Sequence, residues 1–378
     1  MSKILIINSA PVNESLASIV RSLEQRGEYF YCLMTRKAYF NSEREEEKIN
    51  KGFRIYLGPE PDSREKIMFF ILLIPFLCLR QSLNLIYFKY YKKVDKVICV
   101  NWNEKIIITP VANLLKMRVI WAELPSINYW DKSIFLLRLY RSCAKKVKFI
   151  TFLSADKFQL VEMGVDFKDI KMVSLGIDPE EMEQQENIFS SLAQREYSET
   201  NNIFTLGVVD IEHSPQIENL FKAAKKSLDI IPNLRVIVIG EKEKKEYLRW
   251  LAQKMEMENM IWLVGEQHDL RKWMKSFDVF VGLGEIPNMF ELEVMLKAMS
   301  MGVPVVGLRN KGYEELIEEN VTGVLVGKND SEILAQRIIR LFQNTSLRRT
   351  LGKNAKEKVA SENTKQRQIR ELEKILEE

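Results

Sequence analysis

The chain has 378 residues, more than one hydrophobic core usually serves, so two domains are expected. Its 46% apolar and 29% charged residues describe an ordinary globular protein and exclude a low-complexity or largely disordered chain. The net charge of +4 is uneven: residues 1–180 hold 28 Lys and Arg against 20 Asp and Glu, and the remainder 28 against 32. The basic first half points to an anionic surface as partner, and no nucleic-acid recognition motif accompanies the charge.

In chain order, residues 1–8 carry one Lys and no leader-type cleavage pattern. Continuous Val- and Ile-rich runs then predict strands at 3–8, 29–34, 53–57, 96–101, 118–122 and 149–153. A second set is predicted at 204–209, 234–240, 261–264, 279–283, 304–308 and 323–326. Unbroken apolar runs separated by helical patterns are the mark of strands buried on both faces of parallel sheets, and two sets in series imply two doubly wound α/β domains. The domain boundary is expected after Gly176-Ile177-Asp178-Pro179. That gives an N-terminal domain over 1–180, a polar linker, a C-terminal domain over 203–354 and a charged helix over 355–378 that packs back on the N-terminal domain.

Residues 66–93 stand apart. Thirteen apolar residues from Ile67 to Leu79 are interrupted by Pro75, and Arg80, Gln81, Ser82 and Asn84 break any longer run. A spanning helix needs about 20 apolar residues, so a span is disfavoured. The flanking Lys66, Lys89, Lys92 and Lys93, with Tyr87, Phe88, Tyr90 and Tyr91, fit an interfacial segment lying on an anionic membrane; the other reading is a buried helix with solvated lysines. Five further cations occur within 138–148. On a solvated helix face they need no ligand; on the same side as 66–93 they would extend a basic, apolar membrane face. The four cysteines are scattered, no two forming a CxxC pair, which suits a reduced, cytoplasmic protein. Two histidines, His213 and His268, argue against a histidine-based metal site.

The segment from Asn288 to Val326 has a sharper pattern. Gly302-Val303-Pro304-Val305-Val306 is followed by Gly312, Glu315 and Val321-Thr322-Gly323; Val173 to Asp178, Gly207 to Leu220, Pro232 to Gly240, Val264-Gly265 and Ser276 to Val281 add matches in order. This resembles the group 1 glycosyltransferases, which have the GT-B fold and retain anomeric configuration. The resemblance is strong over 203–351 and weak over 1–178. It implies two Rossmann-like domains facing a central cleft, a nucleotide-sugar donor, and no metal or other cofactor.

The resemblance also implies a donor site. The donor's diphosphate would sit at a helix N-terminus beginning near Asn288, with Met289 and Phe290 in the first turn. Of the family's two glutamates, the first aligns with Met289 and the second with Lys297. The family's Arg and Lys, which neutralise the leaving diphosphate, align with Val208 and His213. Glu285 and Glu293 form a pair of the family's spacing one helical turn early, and Glu293 shares a helix face with Lys297. The candidate catalytic residues are therefore Glu285 and His213, and the candidate donor contacts are Asn288, Met289, Phe290, Glu293, Lys297 and Gly240. On the acceptor side, Asn13, Ser15, Asn103 and Glu123 lie at strand C-terminal ends, where open α/β sheets bind ligands. Two functions follow. One is a glycosyltransferase acting on a lipid-linked or cell-surface glycan at the cytoplasmic membrane face. The other is an inactive GT-B protein that binds a partner transferase, a nucleotide or a glycan.

Overall fold

The computed structural model describes residues 3–8, 29–34, 52–58, 64–125, 134–178, 203–210, 216–240, 245–265, 267 and 269–377. The chain divides into two compact units, Met1–Val173 with Ile369–Glu378, and Ser174–Gln368.

The first unit holds β1 (Lys3–Asn8), β2 (Tyr29–Met34), β3 (Gly52–Arg54), β4 (Lys96–Cys99), β5 (Arg118–Glu123), β6 (Lys148–Thr151) and β7 (Ile170–Met172). They form one parallel sheet in the order β3-β2-β1-β4-β5-β6-β7. In β1, β4, β5 and β6 consecutive residues are buried, so both faces of this part of the sheet are covered, as continuous rather than alternating patterns require. The sequence does not predict β7: Ile170-Lys171-Met172 is a short edge strand with a Lys at its centre, and its neighbours carry no apolar run.

Helices α1 (Arg64–Ile86), α2 (Trp102–Leu114), α3 (Ile134–Ala144) and α4 (Ser154–Glu162) contribute to the core on one sheet face. Asn101 and Glu104 start α2 with a capping box: Glu104 accepts the N–H of Val100 at 2.6 Å and of Asn101 at 2.8 Å. Helix α1 continues into a π-helical turn, Tyr87–Tyr91. By length and composition, Glu65–Tyr91 is apolar enough to cross a membrane. One side of it, however, packs Phe70, Leu77, Leu85 and Phe88 into the domain core, and buried Gln81 donates to the Tyr56 carbonyl at 2.7 Å. The opposite side stays exposed, so neither the fully buried reading nor a simple span describes it.

The second unit holds β8 (Phe204–Asp210), β9 (Leu234–Gly240), β10 (Ile261–Leu263), β11 (Val279–Gly282), β12 (Val305–Leu308) and β13 (Val324–Val326), parallel in the order β10-β9-β8-β11-β12-β13. Its helices are α5 (Gln216–Ser227), α6 (Lys245–Lys254), α7 (Leu270–Met274), α8 (Met289–Ser300), α9 (Lys311–Leu316), α10 (Ser331–Gln343) and α11 (Thr345–Glu362). Helix α12 (Lys365–Glu377) begins in this unit and ends in the first. Leu292, Val294, Met295, Leu296, Ala298 and Met299 of α8 are buried, the larger ones contributing about 1.5–3 kcal/mol each. Gly302 closes α8 at φ +73°, and Gly352 of α11 lies so close that an added Cβ would fall 2.0 Å from the Gly302 carbonyl oxygen. The conformation and the approach both require glycine.

Candidate functional site

In an open parallel sheet the order reverses at one point, and the strand C-termini on either side diverge to leave a crevice for ligand. In the second unit that point lies between β8 and β11. Three segments following strands meet there. Gln216, at the start of α5 and only 1% exposed, donates to Glu285 at 2.6 Å and to Asn329 Oδ1 at 2.8 Å. The Asn329 N–H returns a bond to Gln216 Oε1 at 3.1 Å, with Asn329 in the left-handed region at φ +57°. Lys328 lies 3.2 Å from the second oxygen of Glu285. The Gln216 hydrogen bond first, then Lys328, holds the Glu285 carboxyl below its usual range, so it is a fixed anion at neutral pH.

The loop carrying Glu285 is tied to its neighbours. Asn310 donates to the Gly284 carbonyl at 2.9 Å and accepts the Tyr313 N–H at 2.9 Å. A Cβ on Gly284 would meet the Glu291 carboxylate at 2.8 Å, and one on Gly312 would meet Pro287 at 2.7 Å. Tyr313 is buried beneath the loop, and desolvation pushes its phenol far above the ordinary value.

Helix α8 opens on Asn288, as the sequence predicts. Asn288 Oδ1 accepts the Glu291 N–H at 3.0 Å, and Glu291 accepts the Asn288 N–H at 2.9 Å. This capping box occupies two of the amides an anion would use, while the first-turn N–H groups of Met289 and Phe290 have no partner within the helix. The Met289 side chain is 3% exposed and belongs to the core, so only its backbone can face a donor. Phe290, Glu293 and Lys297 are half-buried along the same helix. Glu285 lies in the preceding loop, so it and Glu293 are not two carboxylates of one helix. Gly240 ends β9, paired in register with Asp210 at the end of β8.

In the first unit the order reverses between β1 and β4. There Asn101 donates to Asn8 Oδ1 at 2.8 Å. Glu123, expected as an acceptor contact, is instead 1% exposed: it pairs with Lys105 at 2.7 Å and accepts the Tyr140 hydroxyl at 2.7 Å. Its carboxylate belongs to the domain interior. Asn103 is 3% exposed, within the buried part of α2. His213, Asn13 and Ser15 lie outside the described residues. Among the described residues, no three or more His, Cys, Asp or Glu side chains gather as a metal site.

Sequence reasoning passed over Gln216, Lys328, Asn329 and Asn310. The signal for Lys328 was present: it follows a predicted strand by two residues, where polar groups at strand C-terminal ends deserve the same weight as those of the first domain.

Residues 190–358 match the family model described as Glycosyl transferases group 1. Among curated proteins, the chain is 27% identical over 254 residues to the uncharacterized glycosyltransferase MJ1069 of Methanocaldococcus jannaschii, covering 66% of this chain and 62% of that protein. It is 25% identical over 242 residues to the amylovoran biosynthesis glycosyltransferase AmsK of Erwinia amylovora, covering 58% of this chain and 53% of that one. A match to N-acetyl-alpha-D-glucosaminyl L-malate synthase of Bacillus anthracis covers 37% of this chain and 38% of the relative. The alignments thus span between a third and two thirds of these relatives' lengths. Among solved structures, a glycosyltransferase from Rickettsia africae superposes with a TM-score of 0.80 at 15% identity, covering 99% of this chain and 97% of its own. Alr3699/HepE of Anabaena in complex with UDP also gives 0.80, at 16% identity and with both chains fully covered. The fold of this chain is GT-B.

Proposed function

We propose, for this GT-B chain whose residues 190–358 match the group 1 glycosyltransferases, that it moves a sugar from a nucleotide donor to a lipid-linked or cell-surface glycan, with retention of configuration. The observation carrying this reading is the convergence of Glu285, Gln216, Lys328 and the first turn of α8 at the crevice of the second sheet. The first-turn amides of α8 meet the donor diphosphate, and Lys328 adds the cation that the family's basic positions no longer supply. Glu285, fixed by Gln216, orients the sugar, and Glu293 receives the ribose hydroxyls. No metal is required, because amides and a cation answer the diphosphate charge. The complexes of Alr3699/HepE with UDP and with UDP-glucose support a uridine nucleotide as the first donor to test.

The exposed side of α1 supports a lipid-linked acceptor. Phe69, Leu72, Phe76, Leu79 and Leu83 are 55–73% exposed and recur at helical spacings of three and four residues. Such a stripe, ending in Tyr90, Tyr91, Lys92 and Lys93, lies on the inner face of a membrane. Replacing Leu72 and Leu79 with Glu is expected to leave the protein folded and to abolish its sedimentation with vesicles.

Titration calorimetry with UDP-, GDP- and ADP-sugars, followed by product analysis, tests the transferase reading. Binding of one donor, lost in Glu285→Ala and weakened in Lys328→Ala, is expected; a chain that binds none is not a transferase. The second reading, an inactive GT-B protein, is favoured by the burial of Met289 where the family has a carboxylate. It requires binding of a nucleotide or glycan with no transfer to any acceptor.

A further inference from the structure

Helix α3 carries an exposed stripe on the same sheet face that α1 covers. Its Leu136, Tyr140 and Ala144 are buried, while Ile134 and Phe135 at its start are 73% and 53% exposed. Exposed Arg138 and Arg141 follow Ile134 at spacings of four and three, on the outer side of the helix, and exposed Lys145 and Lys146 come just past its end. Helix α1 joins β3 to β4 and α3 joins β5 to β6, all strands of one parallel sheet. Both helices therefore run back along the sheet and begin at the end where the strand C-termini open the crevice. Both also pack on α2, whose consecutive residues from Trp102 to Thr109 are all buried. Burial first, and then the neighbouring Cys78 thiol of α1, push up the Cys143 thiol of α3, so the two helices come close at this level. With both rising about 1.5 Å per residue in the same direction, an equal count back from each thiol reaches Phe69 on α1 and Ile134 on α3. The first turn of α3 thus stands level with Met68, Phe69 and Leu72, which are 65%, 55% and 73% exposed.

Towards the other end the character changes. Helix α1 runs out into Tyr90, Tyr91, Lys92 and Lys93, and α3 into its arginines and lysines. Apolar side chains at the crevice end with cations behind them match the depth profile of a bilayer, hydrocarbon first and anionic headgroup above it. The excess of Lys and Arg in residues 1–180, 28 against 20 acidic residues, suits the same partner. We propose that α3 is a second membrane contact: Ile134 and Phe135 enter the bilayer beside Met68, Phe69 and Leu72, and Arg138 and Arg141 meet anionic headgroups. This contact rests on α1 facing a membrane, as proposed for the lipid-linked acceptor, and adds which edge of the domain goes in deepest. With the crevice end entering first, a lipid-linked acceptor reaches the crevice without leaving the bilayer.

The test is sedimentation of the full chain with phosphatidylcholine vesicles, with and without phosphatidylglycerol. The parent is expected to bind the mixed vesicles more tightly than phosphatidylcholine alone. Ile134→Ser/Phe135→Ser, at exposed positions, is expected to melt as the parent does and to bind mixed vesicles about tenfold or more weakly. Arg138→Gln/Arg141→Gln is expected to lose about tenfold or more of the phosphatidylglycerol-dependent binding and to keep the rest. Ile230→Ser/Trp250→Ser removes exposed apolar side chains from the second unit and is expected to bind as the parent does. Parent-like binding by either α3 variant, or an equal loss in the second-unit control, overturns the second contact and leaves α1 in place, which Leu72→Glu/Leu79→Glu reads on its own. A parent that sediments with neither vesicle overturns the α1 reading and this contact together. Sedimentation velocity without lipid reads the other occupant: a dimer that Ile134→Ser/Phe135→Ser dissociates puts a second copy of the chain on α3 and overturns the proposal.

Discussion

Lys105→Met isolates the carboxylate of Glu123 inside the first domain. The parent pair is 2.7 Å apart with both side chains at most 1% exposed, a Coulomb attraction of about 6 kcal/mol at an effective dielectric of about 20. Desolvation costs several kcal/mol per ion, so the intact pair contributes little net stability. Removing the lysine leaves the Glu123 carboxylate charged and buried without its cation, with the Tyr140 hydroxyl still donating to it, at a cost of about 3–5 kcal/mol. For a domain of this size, that lowers the midpoint of thermal unfolding by roughly 10 °C. The double variant Lys105→Met/Glu123→Leu is expected to recover most of the loss. Differential scanning calorimetry of the full chain, with urea titration of the three variants, gives both quantities. A single variant within about 1 kcal/mol of the parent would show that Glu123 reaches solvent, and would return it to the acceptor site that the sequence assigns it.

Asn288→Ala removes the capping box of α8 and is expected to cost about 1 kcal/mol, read as a lower urea midpoint with unchanged slope. Gly352→Ala drives a Cβ into the Gly302 carbonyl oxygen and is expected to cost about 3 kcal/mol or to abolish soluble expression. Burial raises the thiols of Cys78 and Cys99, and burial with the nearby Cys78 thiol raises that of Cys143 to about 11. At neutral pH these thiols are protonated, so a Cys32→Ser variant is expected to be inert to Ellman's reagent while native, and to release three equivalents when denatured.

The two-sheet frame was readable because its central strands, such as β1, β5, β11 and β12, are buried on both faces and stand out as apolar runs. All twelve predicted runs coincide with strands, with ends differing by at most three residues. Edge strand β7 lacks that signal. Local capping was also legible, since Asn101 and Glu104, like Asn288 and Glu291, stand at the spacing a capping box needs. Long-range polar pairing was not. Nothing near Glu123 announces that Lys105, on the preceding helix, will neutralise it. Gln216, Glu285 and Lys328 come from three segments, each following a different strand and up to 112 residues apart, and only the parallel sheet brings them together. Helix α1 divides in the same way. Its apolar run is plain in sequence, but which residues face the core depends on α2 lying against it.

Met289 decides between a relocated donor site and a lost one. At the family's first carboxylate position this chain places a side chain that is 3% exposed, within a helix whose burial holds the second domain together. The apolar contact contributes about 1.5–3 kcal/mol, and the carboxylate now available, Glu285, stands in the preceding loop where Gln216 and Lys328 keep it ionised. If the site has moved, Met289→Glu restores the family residue without restoring its function. It buries an unpaired charge, and the expected outcome is a loss of several kcal/mol with no gain in donor affinity. Thermal unfolding and donor titration on the same preparation read both. A variant as stable as the parent, binding donor more tightly, would show that this position opens onto the donor after all, and that Glu285 is a structural tie.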